Sequence, residues 1–154
     1  MAVTLSFYNQ FIEFVGDHSG ATAGIDLNND TFNIELYNST HVFAGANTAR
    51  ANIVANAVAT GNGYTNPGKA LTSIAWTSAA AVQTWDAADN TWTASTGPIP
   101  AVGNARHAVI YDDTSVTPSV DLLVCNIDFG QNESAGDGTD FKITFDASGI
   151  FTIS

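Results

Sequence analysis

The chain has 154 residues, of which 45% are hydrophobic and only 12% are charged, and 15 acidic against 4 basic residues give it a net charge of −11. This length is typical of one domain, here residues 1–154, that can bury a sizeable core. So few cations disfavour both nucleic acid and an anionic membrane surface as partners, because little is present to neutralise phosphate. We expect an acidic outer surface that keeps particles from sticking together.

The first segment predicts one helix, over residues 5–15, with a possible end at Gly16. Side chains at helical spacing form a single apolar face, which consists of Tyr8, Phe11, Ile12 and Val15. Phe7 and Phe14 lie off this face. The helix is therefore either buried between other elements or presents a second aromatic face to another chain.

The middle of the chain predicts strands and turns. Residues 31–37 alternate apolar and polar side chains, which predicts a half-buried strand. Residues 49–59 have the composition of a short helix, and a Gly-Asn-Gly turn at 61–63 follows it. Residues 69–77 predict a further strand, with Ile74 and Trp76 on one of its faces.

Two tryptophans mark the next predicted element. Residues 82–85 and 91–94 flank the polar segment 86–90 and predict a β-hairpin across which Trp85 and Trp92 could meet. The Gly-Pro-Ile-Pro segment at 97–100 predicts a rigid, extended connector outside any sheet.

The C-terminal third carries the strongest strand signals. Residues 106–111 and 121–129 predict a central strand pair, and the second of these is a nearly continuous apolar run, as in a strand buried on both faces. An acidic loop follows at 131–140, and residues 141–145 and 150–153 predict a closing hairpin. The whole pattern predicts a mostly β fold, an antiparallel β-sandwich or flattened barrel with one N-terminal helix packed on it.

Cys125 is the only cysteine, so no intramolecular disulfide can form, and its apolar strand predicts a buried thiol that packs as a small hydrophobe. Residues 1–5 lack the basic segment of a secretory signal, and no apolar run approaches the ~20 residues that span a bilayer. The sequence therefore predicts synthesis in a cytoplasm and no membrane segment.

No motif in the sequence predicts catalysis, and we expect no enzyme, no cofactor and no metal ion. The three histidines (His18, His41 and His107) are too scattered in the sequence to indicate a zinc site, and we interpret His107 as a structural residue. The acidic residues at 137–140 lack the spacing of an EF-hand, so we favour a solvated loop over a calcium site. Asp128-Phe129-Gly130 matches a kinase tripeptide, but the other kinase motifs are missing.

Four aromatic residues are the best candidates for an interface or a ligand platform, namely Trp85, Trp92, Phe7 and Phe14. The two indole rings, with Trp76 nearby, could bind a sugar. We favour packing in the core or between subunits, because indole rings anchor both.

The order of several short motifs resembles that of a widespread set of small structural proteins of tailed-bacteriophage virions. The motifs that carry the resemblance are, in chain order, the N-terminal aromatic helix, residues 61–65, residues 91–94 together with Gly97, residues 106–113, residues 128–130, residues 137–139 and the turn at 146–150. It implies a non-enzymatic capsid cement or decoration protein, a homo-oligomer and commonly a trimer, seated on the lattice of the major capsid protein. It also implies a place on the outer surface of the virion, after synthesis in the bacterial host cytoplasm.

Two other functions remain open from the sequence. A carbohydrate-binding or tail-associated virion protein would account for the three tryptophans and the surface rich in Asn and Thr. A hydrolase is the weaker alternative, because no nucleophile and base stand in a recognisable pattern.

Overall fold

A computed structural model describes residues 2–16, 25–114 and 119–154. The elements in chain order are β1 (Thr4–Phe7), α1 (Asn9–Gly16), β2 (Phe32–Asn38), two 3-10 turns (Arg50–Asn52 and Val54–Asn56), β3 (Lys69–Ala70), β4 (Ala75–Ala79), β5 (Val82–Asp86), β6 (Asn90–Thr93), β7 (Ala105–Asp112), β8 (Leu122–Glu133), β9 (Asp140–Ile143) and β10 (Phe151–Ile153). The fold is mostly β, with antiparallel pairing and one short helix near the N-terminus. The predicted fold class is confirmed.

The five-stranded sheet has the order β1-β8-β7-β2-β3, and every neighbouring pair is antiparallel. The predicted central pair is confirmed, since β7 and β8 lie side by side with Ile110 opposite Cys125. The side chain of Cys125 is fully buried, as expected, and burial raises the pKa of its thiol to about 12.

A second layer covers one face of this sheet and closes the main core. It consists of a three-stranded sheet, β10-β5-β4, and a two-stranded sheet, β6-β9. Trp85 of β5 contacts Phe32 of β2 with ring centroids 5.0 Å apart, and Phe141 of β9 contacts Phe129 of β8 at 6.2 Å. The two layers therefore form a sandwich whose core lies between them.

The segment between β2 and β3 covers the opposite face of the five-stranded sheet. Ile53 and Phe43 from this segment pack on Tyr37, Val109 and Tyr111 in a second apolar cluster. The sheet is thus buried on both faces, and the expectation of a half-buried strand at 31–37 is wrong. The alternating polar residue Glu35 is fully buried, because it has charged and polar partners inside the protein.

The N-terminus differs from the predicted helix over residues 5–15. Thr4–Phe7 instead forms edge strand β1, with Leu5 opposite Ile127 of β8, and the helix begins at Asn9. The expected apolar face is only half correct, because Tyr8 and Phe11 are buried whereas Ile12 is 56% and Val15 36% exposed. Pairing with β8 outweighs local helix propensity over the first residues.

Both predicted hairpins are wrong in their pairing. β5 pairs with β4 and β10, whereas β6 pairs with β9, so residues 82–85 and 91–94 belong to different sheets. The predicted closing hairpin is divided in the same way between β9 and β10. Its tight turn at 146–149 does form, and Gly149 is required there, because its φ is +97° and a Cβ would lie 2.7 Å from the backbone oxygen of Trp85.

Two smaller predictions also need correction. Residues 69–77 form two short strands, β3 and β4, and the break between them contains Ser73 with a positive φ of 54°. Residues 49–59 form the two 3-10 turns rather than an α-helix. The Gly61–Tyr64 turn is confirmed by mutual backbone hydrogen bonds of 2.9 and 3.0 Å.

Candidate functional site

Trp85 and Trp92 lie in the core, so the structure contradicts an exposed platform on these two rings. Trp85 is 0% exposed, and its indole N–H donates a 2.8 Å hydrogen bond to the backbone oxygen of Leu27. Trp92 is 5% exposed and packs on Tyr64 and Phe141. The two indoles belong to different sheets and have separate ring contacts, so core packing, the favoured interpretation, accounts for both.

Phe7 and Phe14 have different surroundings. The ring of Phe7 is half-buried and packs on Phe11 at 5.7 Å and edge-on against Phe151 at 5.0 Å. Phe14 is half-buried on the helix. Phe7 thus helps to attach the N-terminal strand and helix to the second layer, and an intermolecular role for either ring stays a prediction.

A cleft of about 660 Å³ lies at the open side of the sandwich. Its apolar lining comes from both layers, with Leu5, Ile127 and Phe129 on the five-stranded sheet and Phe141, Ile143, Phe145 and Ile150 on the other side. This volume lies in the range of about 300–1,000 Å³ typical of ligand sites. The cleft exists because β9 and β10, although neighbours in sequence, pair with different strands.

Strand edges border this cleft. Among the described residues β1 pairs only with β8, β9 only with β6, and β10 only with β5. The cleft is lined by Val3 and Leu5 at the first of these strands and by residues 140–146, 149 and 150 around the other two. An edge strand presents unpaired backbone groups that can hydrogen-bond another extended chain.

The polar rim of the cleft is acidic. Three carboxylates, from Glu133, Asp140 and Asp146, lie on the rim with a single cation, Lys142. The ammonium group of Lys142 is 2.8 Å from the carboxylate of Asp89, so its charge is already compensated. Hydrogen bonds from Ser148 hold the pKa of Asp146 below its usual value, which keeps this carboxylate ionised. The rim therefore favours a cationic ligand.

No pattern in the sequence indicates this cleft. Alternation at Phe141, Ile143 and Phe145 correctly predicts an apolar strand face. The same pattern predicts residues 150–153 as the paired strand beside it, which would leave no cleft. Periodicity reports which face is buried but not which strand lies alongside, so a gap between two strands has no sequence signature.

A buried ionic network lies on the other face of the five-stranded sheet. Both oxygens of Glu35 accept hydrogen bonds from Arg50, at 2.7 and 2.8 Å. Asn66 and Tyr37 each donate one more to the same carboxylate, both at 2.8 Å. These hydrogen bonds tie residues 50–66 to β2. Its role is structural, since it holds the covering segment in place.

Two histidines that are distant in sequence lie in contact beside this network. The rings of His41 and His107 are nearly perpendicular with centroids 5.0 Å apart, and they are 3% and 8% exposed. Within the described part of the chain, the Nε2 atom of His41 has no hydrogen-bond partner. Burial lowers the pKa of both imidazoles, and each of these buried rings is expected to be neutral at pH 7. His18 lies outside the described residues.

We expect the protein to lose stability as the pH falls below about 6.5. Both folded-state pKa values are lowered, so between the unfolded and folded values the unfolded chain binds more protons, and acid favours unfolding. Asp128 opposes this shift at His107, whereas Arg106 adds to it. Denaturant unfolding between pH 7 and 5 measures the effect, above the range in which carboxylates titrate. The doubly substituted His41→Asn, His107→Asn chain should show a flatter dependence, and an unchanged slope would contradict this explanation.

In residues 2–16, 25–114 and 119–154, no three His, Cys, Asp or Glu side chains are grouped so that they could hold a metal ion. In the predicted acidic loop, Asp137 accepts a hydrogen bond from the Gly97 N–H and Asp140 accepts one from Thr93. None of the helices described is long and apolar enough to cross a membrane.

The fold and the cleft together define a class, an acidic antiparallel β-sandwich with an open apolar cleft bordered by edge strands. No match to the chain was found among protein-family models, curated proteins or solved structures.

Proposed function

We propose that the chain is a structural protein of a tailed-phage virion, a cement or decoration protein that stabilises the lattice of the major capsid protein. The observation that carries the proposal is the cleft, because it combines an apolar lining with strand edges that another chain can pair with. The resemblance in motif order supports the same assignment. In this role the protein acts by binding and has no catalytic step.

The proposed mechanism is multivalent attachment. A homotrimer that presents three identical clefts would bind several capsid subunits at once, so each further contact would form at a high effective concentration. The net charge of −11 would repel other particles and nucleic acid from the outward surface. The proposed location is the outer surface of the capsid, with self-association and the major capsid protein as the two partners.

The first test is binding of the purified protein to empty capsids assembled from the major capsid protein of the same genome. We expect sedimentation equilibrium to give the mass of a trimer, and we expect the protein to co-sediment with capsids and raise their disruption temperature. A monomer that stays in the supernatant would overturn the proposal. Capsids that already carry the bound protein serve as the control for specific, saturable binding.

The carbohydrate-binding alternative loses its main support, because Trp85 and Trp92 are buried. A tail-associated role is a second location for the same kind of binding protein. Co-sedimentation with purified tails in place of capsids would indicate that location.

A further inference from the structure

We propose that the cleft binds an extended segment of another protein in which apolar side chains alternate with lysine or arginine. The segment would add as a strand along an open edge and place its apolar residues in the sandwich. The identity of the partner as a capsid subunit rests on the proposed function, whereas the chemistry of the bound segment does not.

The apolar lining fits alternate side chains of a strand. Successive side chains of a strand point to opposite sides, so every second residue of an added segment can face Leu5, Ile127 and Phe129. The lining side chains Phe145 and Ile150 are only partly buried in the free protein. Covering them removes apolar surface from water, which favours binding.

The backbone edges supply direction and register. Both β1 and β9 have one strand partner in the described structure, and both contribute lining residues. Addition of a strand to such an edge lets main-chain hydrogen bonds provide affinity, while the side-chain cavities provide specificity. This mode requires an extended partner and disfavours a helical one.

Charge selects which extended segment binds. The acidic residues Glu133, Asp140 and Asp146 line the cleft together with its apolar side chains, and its one lysine is already paired with Asp89. Basic residues on the outer side of the added strand would complement these carboxylates, whereas acidic residues would be repelled.

A second copy of this chain does not supply such a segment. The protein has only four Lys and Arg residues, and each has an internal partner: Arg50 with Glu35, Arg106 with Asp128, Lys142 with Asp89, and Lys69 with the backbone oxygen of Thr91. The charge argument therefore favours a different, basic protein.

The probe is an eight-residue peptide of alternating valine and lysine with both ends blocked, measured by calorimetry against the purified protein. The matched peptide of alternating valine and glutamate is the control. We expect the lysine peptide to bind with saturation and the glutamate peptide not to bind. Equal binding of both peptides, or binding of neither, would overturn the inference.

Two variants with the same chemical change locate the binding site. Glu133→Lys reverses a charge on the rim, whereas Glu13→Lys reverses an exposed charge on the helix, outside the cleft lining. At low ionic strength we expect Glu133→Lys to weaken binding of the lysine peptide about five- to tenfold, whereas Glu13→Lys should change it less than about twofold. Equal effects of the two variants would place binding elsewhere and contradict the inference.

The same variants separate this inference from the capsid role. If the wild-type protein and the Glu133→Lys variant bind capsids equally well, the capsid role stands but the cleft is not the contact. Protein that binds the lysine peptide but not capsids would support the chemistry of the cleft and reject the capsid subunit as its partner. Self-association that is lost in Glu133→Lys would identify a second copy as the occupant and overturn the inference.

Discussion

Replacement of Arg50 by alanine is expected to lower the free energy of unfolding by about 3–5 kcal/mol, the cost typical of removing one partner from a buried ion pair. The loss arises at Glu35, whose side chain is 0% exposed and would lose its ion-pair partner inside the protein. Asn66 and Tyr37 would still donate hydrogen bonds to the carboxylate, but neither carries a compensating charge. Urea unfolding followed by tryptophan fluorescence measures the change.

Arg106→Ala is the matched control for this prediction. Arg106 also forms a short ion pair, 2.6 Å from Asp128, but these two side chains are 30% and 31% exposed. Water can solvate the remaining carboxylate, so we expect a loss of about 1 kcal/mol or less. The double replacement Glu35→Leu, Arg50→Met should recover much of the stability that Arg50→Ala loses, because no buried charge remains. Equal losses for the two single alanine variants would contradict the structural role of the network.

Replacement of Trp85 by alanine is expected to destabilise the protein by a similar amount, about 3–5 kcal/mol, as is usual for a large aromatic residue in a core. The indole contacts Phe32 of the five-stranded sheet and Phe151 of β10, at centroid distances of 5.0 and 5.3 Å. Its N–H also donates to the backbone oxygen of Leu27, which would lose this partner. The substitution removes contacts that join the two layers, so thermal unfolding should shift to a markedly lower temperature.

Two further substitutions divide this effect into its parts. Trp85→Phe keeps an aromatic ring but removes the donor, and we expect an intermediate loss. Trp76→Ala makes the same chemical change at a partly exposed ring whose centroid is 6.1 Å from that of Phe151, so it should cost clearly less than Trp85→Ala. A Trp85→Ala protein as stable as Trp76→Ala would contradict the placement of Trp85 between the layers.

The sequence predicted best where one strand is apolar on both faces. The apolar run at residues 122–127 predicts a buried central strand and little else. Its pairing with β7 is predicted because the two strands are close in the sequence. The predicted helix begins four residues before the observed one, because Leu5 and Phe7 fit both a helix and a strand. The strand forms in place of the helix because residues 4–7 pair with the edge of β8.

The sequence could not reveal the long-range partners. The segments on either side of Asp86–Asn90 have the pattern of a hairpin, yet each pairs with a strand near the C-terminus, more than 45 residues away. Alternation along residues 31–37 predicts a solvent-facing Glu35, because its partners Arg50 and Asn66 lie in a segment without regular periodicity. The cleft depends on the same long-range pairings, because β9 and β10 pair with different strands, and no local pattern indicates it.

Direct imaging of phage particles decides whether the protein lies on the outside of a capsid, as we propose. Cryo-electron microscopy of the phage particle, with the chain identified by an added tag, would show its position and symmetry. Our account predicts three-fold symmetric density on the outside of the capsid, with an extended segment of the major capsid protein in the cleft between β1 and β9. A protein that is absent from the particle, or present with its cleft empty and facing solvent, would contradict it.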